Sequence, residues 1–431
     1  MMLKLIFIAL ISGVPLGGQV DIVLSQKVVL KVQPARRGPQ LRQHHGRYQA
    51  VIIHRLEAAP GATLIMKALR GDVVMLGTDV HRIVIEEKIS VRTRHKDHAL
   101  ETIERVKGEL TAVKGKEASY VFKVGQWSDR NVYFDYKVKI PKKFNLLIQS
   151  YGGDFDMSDL HGDLEAKTGG GDIALSKSGG KVMLRTGGGD IDLYQIEGQV
   201  SVFTGGGDIE GRTIQGQVEA HTGGGDIEFW RCKGNFTFNT GGGDLEVQDL
   251  EGTELDARTG GGDINIEDIV ARVNLMTGGG DIVAEAIDGA IEAATSGGDV
   301  DLRRVNGDAI LYSGAGDISI RRIAGAVQIR NNSGDISVEE LTLAHPGRDQ
   351  STITTSYGDV WISLSTALPV AITAKLLGVS PHYAVGRMHT NLDFKFRKGD
   401  GYTVASFMPA KPVHTITIET HGEIKIFQGD D

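Results

Sequence analysis

Ile173 and Leu175 alternate with Ala174 and Ser176, and after a break Val182, Leu184 and Thr186 alternate with Lys181, Met183 and Arg185. Eighteen residues later the same positions are Ile191, Leu193, Val200, Val202 and Thr204. Alternation with a period of two marks a strand with one buried face, and no helical stripe fits these columns. A third apolar column lies between the two bursts: Leu160, Ile196, Ile214, Cys232, Leu250, Ile269, Ile287, Val305 and Ile323. Two residues after it comes a glycine, such as Gly198, Gly216 or Gly234. Each unit therefore predicts a short strand, a bend, a second strand and a glycine corner that returns the chain to its start.

The motif that punctuates these units is TGGGDI. Its aspartate recurs at Asp154, Asp172, Asp190, Asp208, Asp226, Asp244, Asp263, Asp281, Asp299, Asp317 and Asp335, every step eighteen residues except one of nineteen, and returns after a longer gap at Asp359. Coils of equal length set identical positions above one another, roughly 4.8 Å apart, as parallel strands. The predicted fold is all-β, a single-stranded parallel β-solenoid (β-helix) of 18-residue coils, with a right-handed turn expected from the handedness of parallel crossovers. The triple glycine is read as a corner with positive φ and closely packed backbones. Towards the end the motif decays to SGGD at Ser296, GAGD at Gly314, NSGD at Asn332 and YGD at Tyr357, as terminal repeats of an array do.

Stacking makes a column of carboxylates, each repelling the next by about 0.9 kcal/mol even when water screens it fully. Two accounts supply the compensation. In the first, each carboxylate accepts N–H groups from the glycine corner. In the second, cations occupy the ladder from Asp154 to Asp359, with calcium the candidate. Acidic residues two places on, at Asp156, Asp192, Glu210, Glu228, Glu246 and Asp301, resemble hard-cation ligands. The spacing differs from that of the calcium-binding nonapeptide repeat, so capping is placed first. A threonine column, Thr168, Thr186, Thr204, Thr222, Thr240, Thr259, Thr277, Thr295 and Thr355, falls on the inward parity and reads as an internal hydrogen-bonded ladder.

Five segments follow. Residues 1–25 carry Lys4 and an apolar run from Leu5 to Val14, a signal peptide or short anchor; 26–49 read as a linker. Residues 50–149 read as a β-rich N-terminal cap with one helix over Ala99–Leu110, 150–363 as the solenoid, and 364–431 as a C-terminal cap with Glu423 where an aspartate would stand. The chain has 431 residues, 58 glycines, one cysteine and a net charge of −8, so nucleic acid is not an expected partner. Without a second cysteine there is no disulfide framework, and after the N-terminal segment no stretch reads as a transmembrane span. Export to the periplasm, the cell surface or the medium is expected.

GDVVMLG at Gly71–Gly77, VYFDYKVKIPKKFNLLIQSYGGDFDMSDLHGDLEAKTGGGDI, the repeated TGGGDI and the closing TITIETHGEIKIF together resemble the bacterial putative-adhesin family, β-strand-repeat proteins of the cell envelope with unknown function. The resemblance runs over about residues 50–431. It implies an exported solenoid with no agreed catalytic residues, so no site is carried over.

Other chemistry is sparse. Arg70, Gly71 and Asp72 spell RGD but read as a turn entering a strand, and His95 with His98, or His44 with His45, lack a ligand set around them. Trp230 and Tyr194 fall on outward positions where a sugar could stack. Nothing reads as a catalytic motif. The leading expectation is a non-enzymatic adhesin-like or structural envelope protein, with envelope polysaccharide or another envelope protein as partner. The alternatives are a cation- or glycan-binding scaffold built on the Asp ladder, and a polysaccharide-acting β-helix enzyme.

Overall fold

The computed structural model describes residues 41–44, 46–59, 61–113, 119–125, 131–343, 350–365 and 369–429. The expected signal segment, the linker up to residue 40 and residues 344–349, in the longer gap before Asp359, lie outside the described residues.

The chain forms the expected β-solenoid. Ile173–Thr186 pairs in parallel with Ile191–Thr204 position for position, Ile173 beside Ile191 and Thr186 beside Thr204. The same register continues to Ile209–Thr222 and Ile227–Thr240. Each coil sends its first strand down one face and its second down the other, and inward residues such as Ile209, Ile214, Val218 and Ala220 are fully buried. The core accommodates large side chains by taking small ones above or below: Phe229 lies where Gly211 of the preceding coil has no side chain, since a Cβ there would come within 2.2 Å of the ring. Phe229, Phe236 and Phe238 pack as one cluster beside it.

The bend between the two strands falls on a residue in the left-handed region, and that residue is not glycine. Lys177, Gln195, Thr213, Arg231, Asp249, Asp268, Ala286, Arg304, Arg322 and Glu340 all have φ between +50° and +66°. The pattern of apolar residues located the bend without showing this conformation. The nineteen-residue coil absorbs its extra residue as a bulge just after its bend at Asp249, where the register shifts between Glu251 and Glu254. There the Thr253 amide and hydroxyl both donate to Asn235 Oδ1.

The parallel stack continues outside the stretch that the eighteen-residue period marks, and its chain order changes at both ends. At the start run β1 (Arg42–His44), β2 (Arg47–Glu57), β3 (Thr63–Leu69), β4 (Asp72–Thr78), β5 (Arg82–Val91), α1 (Lys96–Val106), β6 (Glu109–Val113), β7 (Ser119–Lys123), β8 (Val132–Pro141), β9 (Asn145–Ser150) and β10 (Phe155–Ser158). The β3–β4 coil is inserted between two later coils, with β3 paired to β7 and β9 and β4 to β8 and β10, all parallel. Beyond them β5, β2 and β1 extend one face antiparallel and β6 extends the other. Helix α1 buries Ala99, Thr102, Ile103 and Val106. It stops at Val106, short of the expected Leu110, because Gly108 breaks it and Leu110 is needed on β6.

The other end repeats the device. The chain's last coil, His414–Thr420 and Ile424–Gln428, is inserted between Gln350–Leu364 and the strand Val370–Leu377. Within the expected C-terminal cap, the chain between these strands carries a helical turn at Pro381–Ala384 and the short strands Met388–Thr390 and Lys395–Lys398. Each end coil is thus held on both sides, which restrains the fraying and edge exposure that threaten an open parallel stack.

Candidate functional site

The aspartate column is continuous. The Asp208 amide donates to Asp190 Oδ1 at 2.9 Å, and Asp226 to Asp208 Oδ1 at 2.8 Å. The same bond links Asp154, Asp172 and Asp190, then runs through Asp244, Asp263, Asp281, Asp299, Asp317, Asp335 and Asp359, each N–H to the carboxylate one coil back. It starts one coil earlier than the repeat shows, because the Asp154 amide donates to Asp72 Oδ1, and it closes on Glu423, whose amide donates to Asp359 Oδ1. Each aspartate carbonyl also accepts the N–H of the residue after the preceding aspartate, as Asp226 does from Ile209. One carboxylate oxygen per coil is therefore committed to the backbone of the next.

The threonine column completes the corner. Thr222 Oγ1 donates to Gly207 O of the preceding coil at 2.7 Å and accepts the Gly225 amide of its own corner at 3.2 Å. The pattern holds at Thr186, Thr204, Thr240, Thr259, Thr277 and Thr295. Where the repeat decays, Ser313 keeps both bonds and the Asn331 amide still reaches Gly316 O.

The triple glycine is not the positive-φ corner expected from the sequence. None of Gly205, Gly206 and Gly207 has a left-handed φ; positive values fall instead on the opposite corner, at Gly198, Gly216 and Gly234. Gly205 and Gly207 are glycine because a Cβ would meet the carbonyl oxygen of the coil below at 2.2 and 2.3 Å. At Gly206 a Cβ would meet nothing within 4 Å, and Ala315, Ser333, Tyr357 and His421 stand at the same place in later coils. Nothing in the structure explains glycine there.

Beside the ladder runs the second acidic column. Asp192, Glu210, Glu228 and Glu246 occupy matching positions on four successive coils. Partial burial raises the Asp192 carboxyl above the ordinary aspartate range, helped by Glu210, Asp190 and Asp172 and opposed by Arg212. Glu228 is raised by burial and then by Glu210, Glu246, Asp226 and Asp208. Arg212 is the local cation, 3.2 Å from Glu210 and stacked 4.9 Å above the Trp230 ring. That contact covers the outward tryptophan, whereas Tyr194 is exposed.

The remaining sequence candidates are dispersed. Gly71 turns the chain at φ +92°, Arg70 lies 5.3 Å from the Tyr151 ring, and Asp72 is the first rung, so the RGD tripeptide is built into the stack. His95 precedes α1, its amide bonded to Thr93 Oγ1. The side chains of His44 and His45 lie outside the described residues. Cys232 is buried, and burial pushes its thiol up to about 11. Among the described residues no group of three or more His, Cys, Asp or Glu side chains is placed to hold a metal ion. Open depressions among the described residues include one of about 400 Å³ against Asp159, His161, Glu197 and Gln215 and one of about 380 Å³ against Asp335, Asp359, Trp361 and Lys425.

Glu87 is a buried acidic residue outside the expected set. It is fully buried, accepts the Gly108 amide on both oxygens and lies 3.2 Å from His54 Nε2. Its signal was present, since Ile83, Ile85 and Ile89 fix the inward parity and Glu87 shares it.

Residues 231–311 match the Toastrack DUF4097 family model. That stretch lies inside the solenoid and spans four aspartate rungs, Asp244 to Asp299, and the match supports the resemblance to the bacterial putative-adhesin proteins of unknown function. No curated protein matches the chain. A crystal structure of a putative cell adhesion protein from Clostridium sporogenes aligns over 88% of this chain and 100% of its own, at 11% identity and a TM-score of 0.15. At that score the alignment bears on neither fold nor function. No helix among the described residues is long and apolar enough to cross a membrane.

Proposed function

We propose that the chain is an exported, non-enzymatic solenoid that serves the cell envelope as an adhesin-like or structural rod, with envelope polysaccharide or another envelope protein as its partner. The observation that carries this reading is where the repeated polar groups go. The residues held constant from coil to coil, Asp and Thr, spend their hydrogen bonds on the adjoining coils. What varies is the outward surface, such as Met183, Ser201, Glu219 and Thr237 at one position of successive coils. A constant frame with a variable surface suits a scaffold that presents contacts. Fractionation of cells carrying a tagged chain, with protease treatment of intact cells, tests it: recovery from envelope or medium is expected, and recovery from the cytosol contradicts it.

A second reading has its own support. Asp192 and Glu228, whose carboxyls are raised first by burial and then by neighbouring carboxylates, stand in one acidic column with Glu210 and Glu246, and a bound cation would relieve the repulsive part of that shift. Equilibrium dialysis against calcium, with Glu210→Gln as the comparison, distinguishes it: saturable binding lost in the variant favours it, and no binding removes it.

A further inference from the structure

The second acidic column does not reach the C-terminal end of the stack, and what replaces it changes the chemistry of that edge. In register with Glu246, the later coils carry Asn265, Val283 and Asp301, then Ser319, Ser337 and Trp361, and the last coil carries Lys425. The ladder continues beside them through Asp317, Asp335 and Asp359. Two short hydroxyl side chains thus lead up to a half-buried indole along a line of exposed carboxylates.

The depression of about 380 Å³ lies here, against Asp335, Ser337, Asp359, Trp361 and Lys425. A volume of this order falls in the range of small-molecule sites. The other outward tryptophan shows why the hollow exists. The coil before Trp230 offers Arg212, which stacks 4.9 Å above the ring. The coil before Trp361 offers Ser337, too short to cover an indole, and the space stays open.

The polar groups around the hollow define what fits it. Asp335 Oδ1 accepts the Asp359 amide at 2.8 Å, and Asp359 Oδ1 accepts the Glu423 amide at 2.7 Å. The ladder leaves Oδ2 of each carboxylate unused, and these acceptors recur one coil apart, roughly 4.8 Å. Ser337 adds a hydroxyl that donates and accepts, and Lys425 an ammonium donor. A matching ligand presents hydroxyl donors along its rim and an apolar face to the indole, with no negative charge to meet the carboxylates. A pyranose ring has both features, because its C–H groups form a face of slight positive charge that suits the negative face of an aromatic ring.

We propose that the depression beside Trp361 binds an uncharged sugar residue of a polysaccharide, the ring stacked on the indole and its hydroxyls donating to Asp335 and Asp359. Ser319 keeps the edge low for one more coil, which leaves room for a neighbouring sugar of the same chain. This rests on the polysaccharide half of the reading above and gives that partner a place on the molecule.

Isothermal titration of the full chain with cellotetraose and with chitotetraose tests the proposal, with tetragalacturonate as the acidic probe and choline as the cationic one. Saturable binding of at least one neutral tetrasaccharide is expected, weakened about tenfold or more by Trp361→Ala and less by Trp361→Phe. Ser337→Arg copies the cover that Arg212 gives Trp230 while keeping the indole, and should abolish binding at an unchanged melting temperature. If Trp361→Ala unfolds the chain, Ser337→Arg decides. Trp230→Phe should bind as the wild type does. Absence of binding by both neutral sugars, equal binding of tetragalacturonate, preference for choline, or binding indifferent to Ser337→Arg overturns the proposal. Titration of the purified chain is independent of where fractionation finds it: an envelope protein that binds neither sugar overturns this site alone, and a cytosolic one that binds overturns only the envelope role.

Discussion

At the scale of single residues, the corner is held by a hydroxyl that both donates and accepts. Removing it from Thr222 without changing shape leaves the buried Gly207 carbonyl and Gly225 amide without that partner. Thr222→Val should therefore cost about 2 kcal/mol in denaturant melts, and Thr222→Ser much less. The glycines give a sharper contrast. Gly206→Ala should be neutral or stabilising by about 0.5 kcal/mol, because φ is not left-handed and the space is open. Gly207→Ala should cost about 2 kcal/mol or more, since its Cβ would lie 2.3 Å from the Gly189 oxygen. Parity alone made the threonine ladder legible, because Thr186 and Thr204 share a face with Val182 and Val200. The reason for the glycines was not legible: it depends on the distance to the coil below. The left-handed bend was hidden too, because Lys177, Gln195 and Thr213 share no side-chain chemistry that announces it.

At the scale of the coil, inward and outward columns should respond oppositely. Ile209→Asp buries an unpaired charge and should unfold its neighbourhood, whereas Glu210→Ala removes one member of a crowded column and should be tolerated. Chymotrypsin digestion mapped by mass spectrometry reads the difference. The acidic column also carries a pH dependence. Carboxyls raised on folding keep their protons to higher pH in the folded chain, so their unfavourable contribution is absent in acid and grows as pH rises through the folded values. Asp192→Asn with Glu228→Gln should accordingly raise the melting temperature at neutral pH, and the gain should vanish below the carboxylate range. The D-x-[DE] spacing revealed this column in the sequence, but burial and the cover that Arg212 lends Trp230 needed the third dimension. Helix α1 shows the same limit: Ala99, Ile103 and Val106 gave its face, while its stop at Val106 depended on a strand, β6, that the periodicity did not separate from it.

At the scale of the molecule, the eighteen-residue period determined the architecture because every coil repeats one solution. The ends were legible only in part. YGD and THGE marked the decaying motif, but no local pattern shows that the β3–β4 coil sits between later coils or that His414–Gln428 sits before Val370–Leu377. Truncation after Pro412 should remove that inserted coil, expose an open edge and lead to aggregation visible by light scattering. The ladder runs from Asp72 on β4 to Glu423 in the inserted last coil and is the central feature of the stack: carboxylates hold successive coils together by accepting backbone N–H groups. A thermal melt in calcium, and in chelator at matched ionic strength, tests this most directly, because an ion bound to the folded state alone would stabilise it by mass action. The predicted result is the same melting temperature in both; a rise of many degrees in calcium would contradict it.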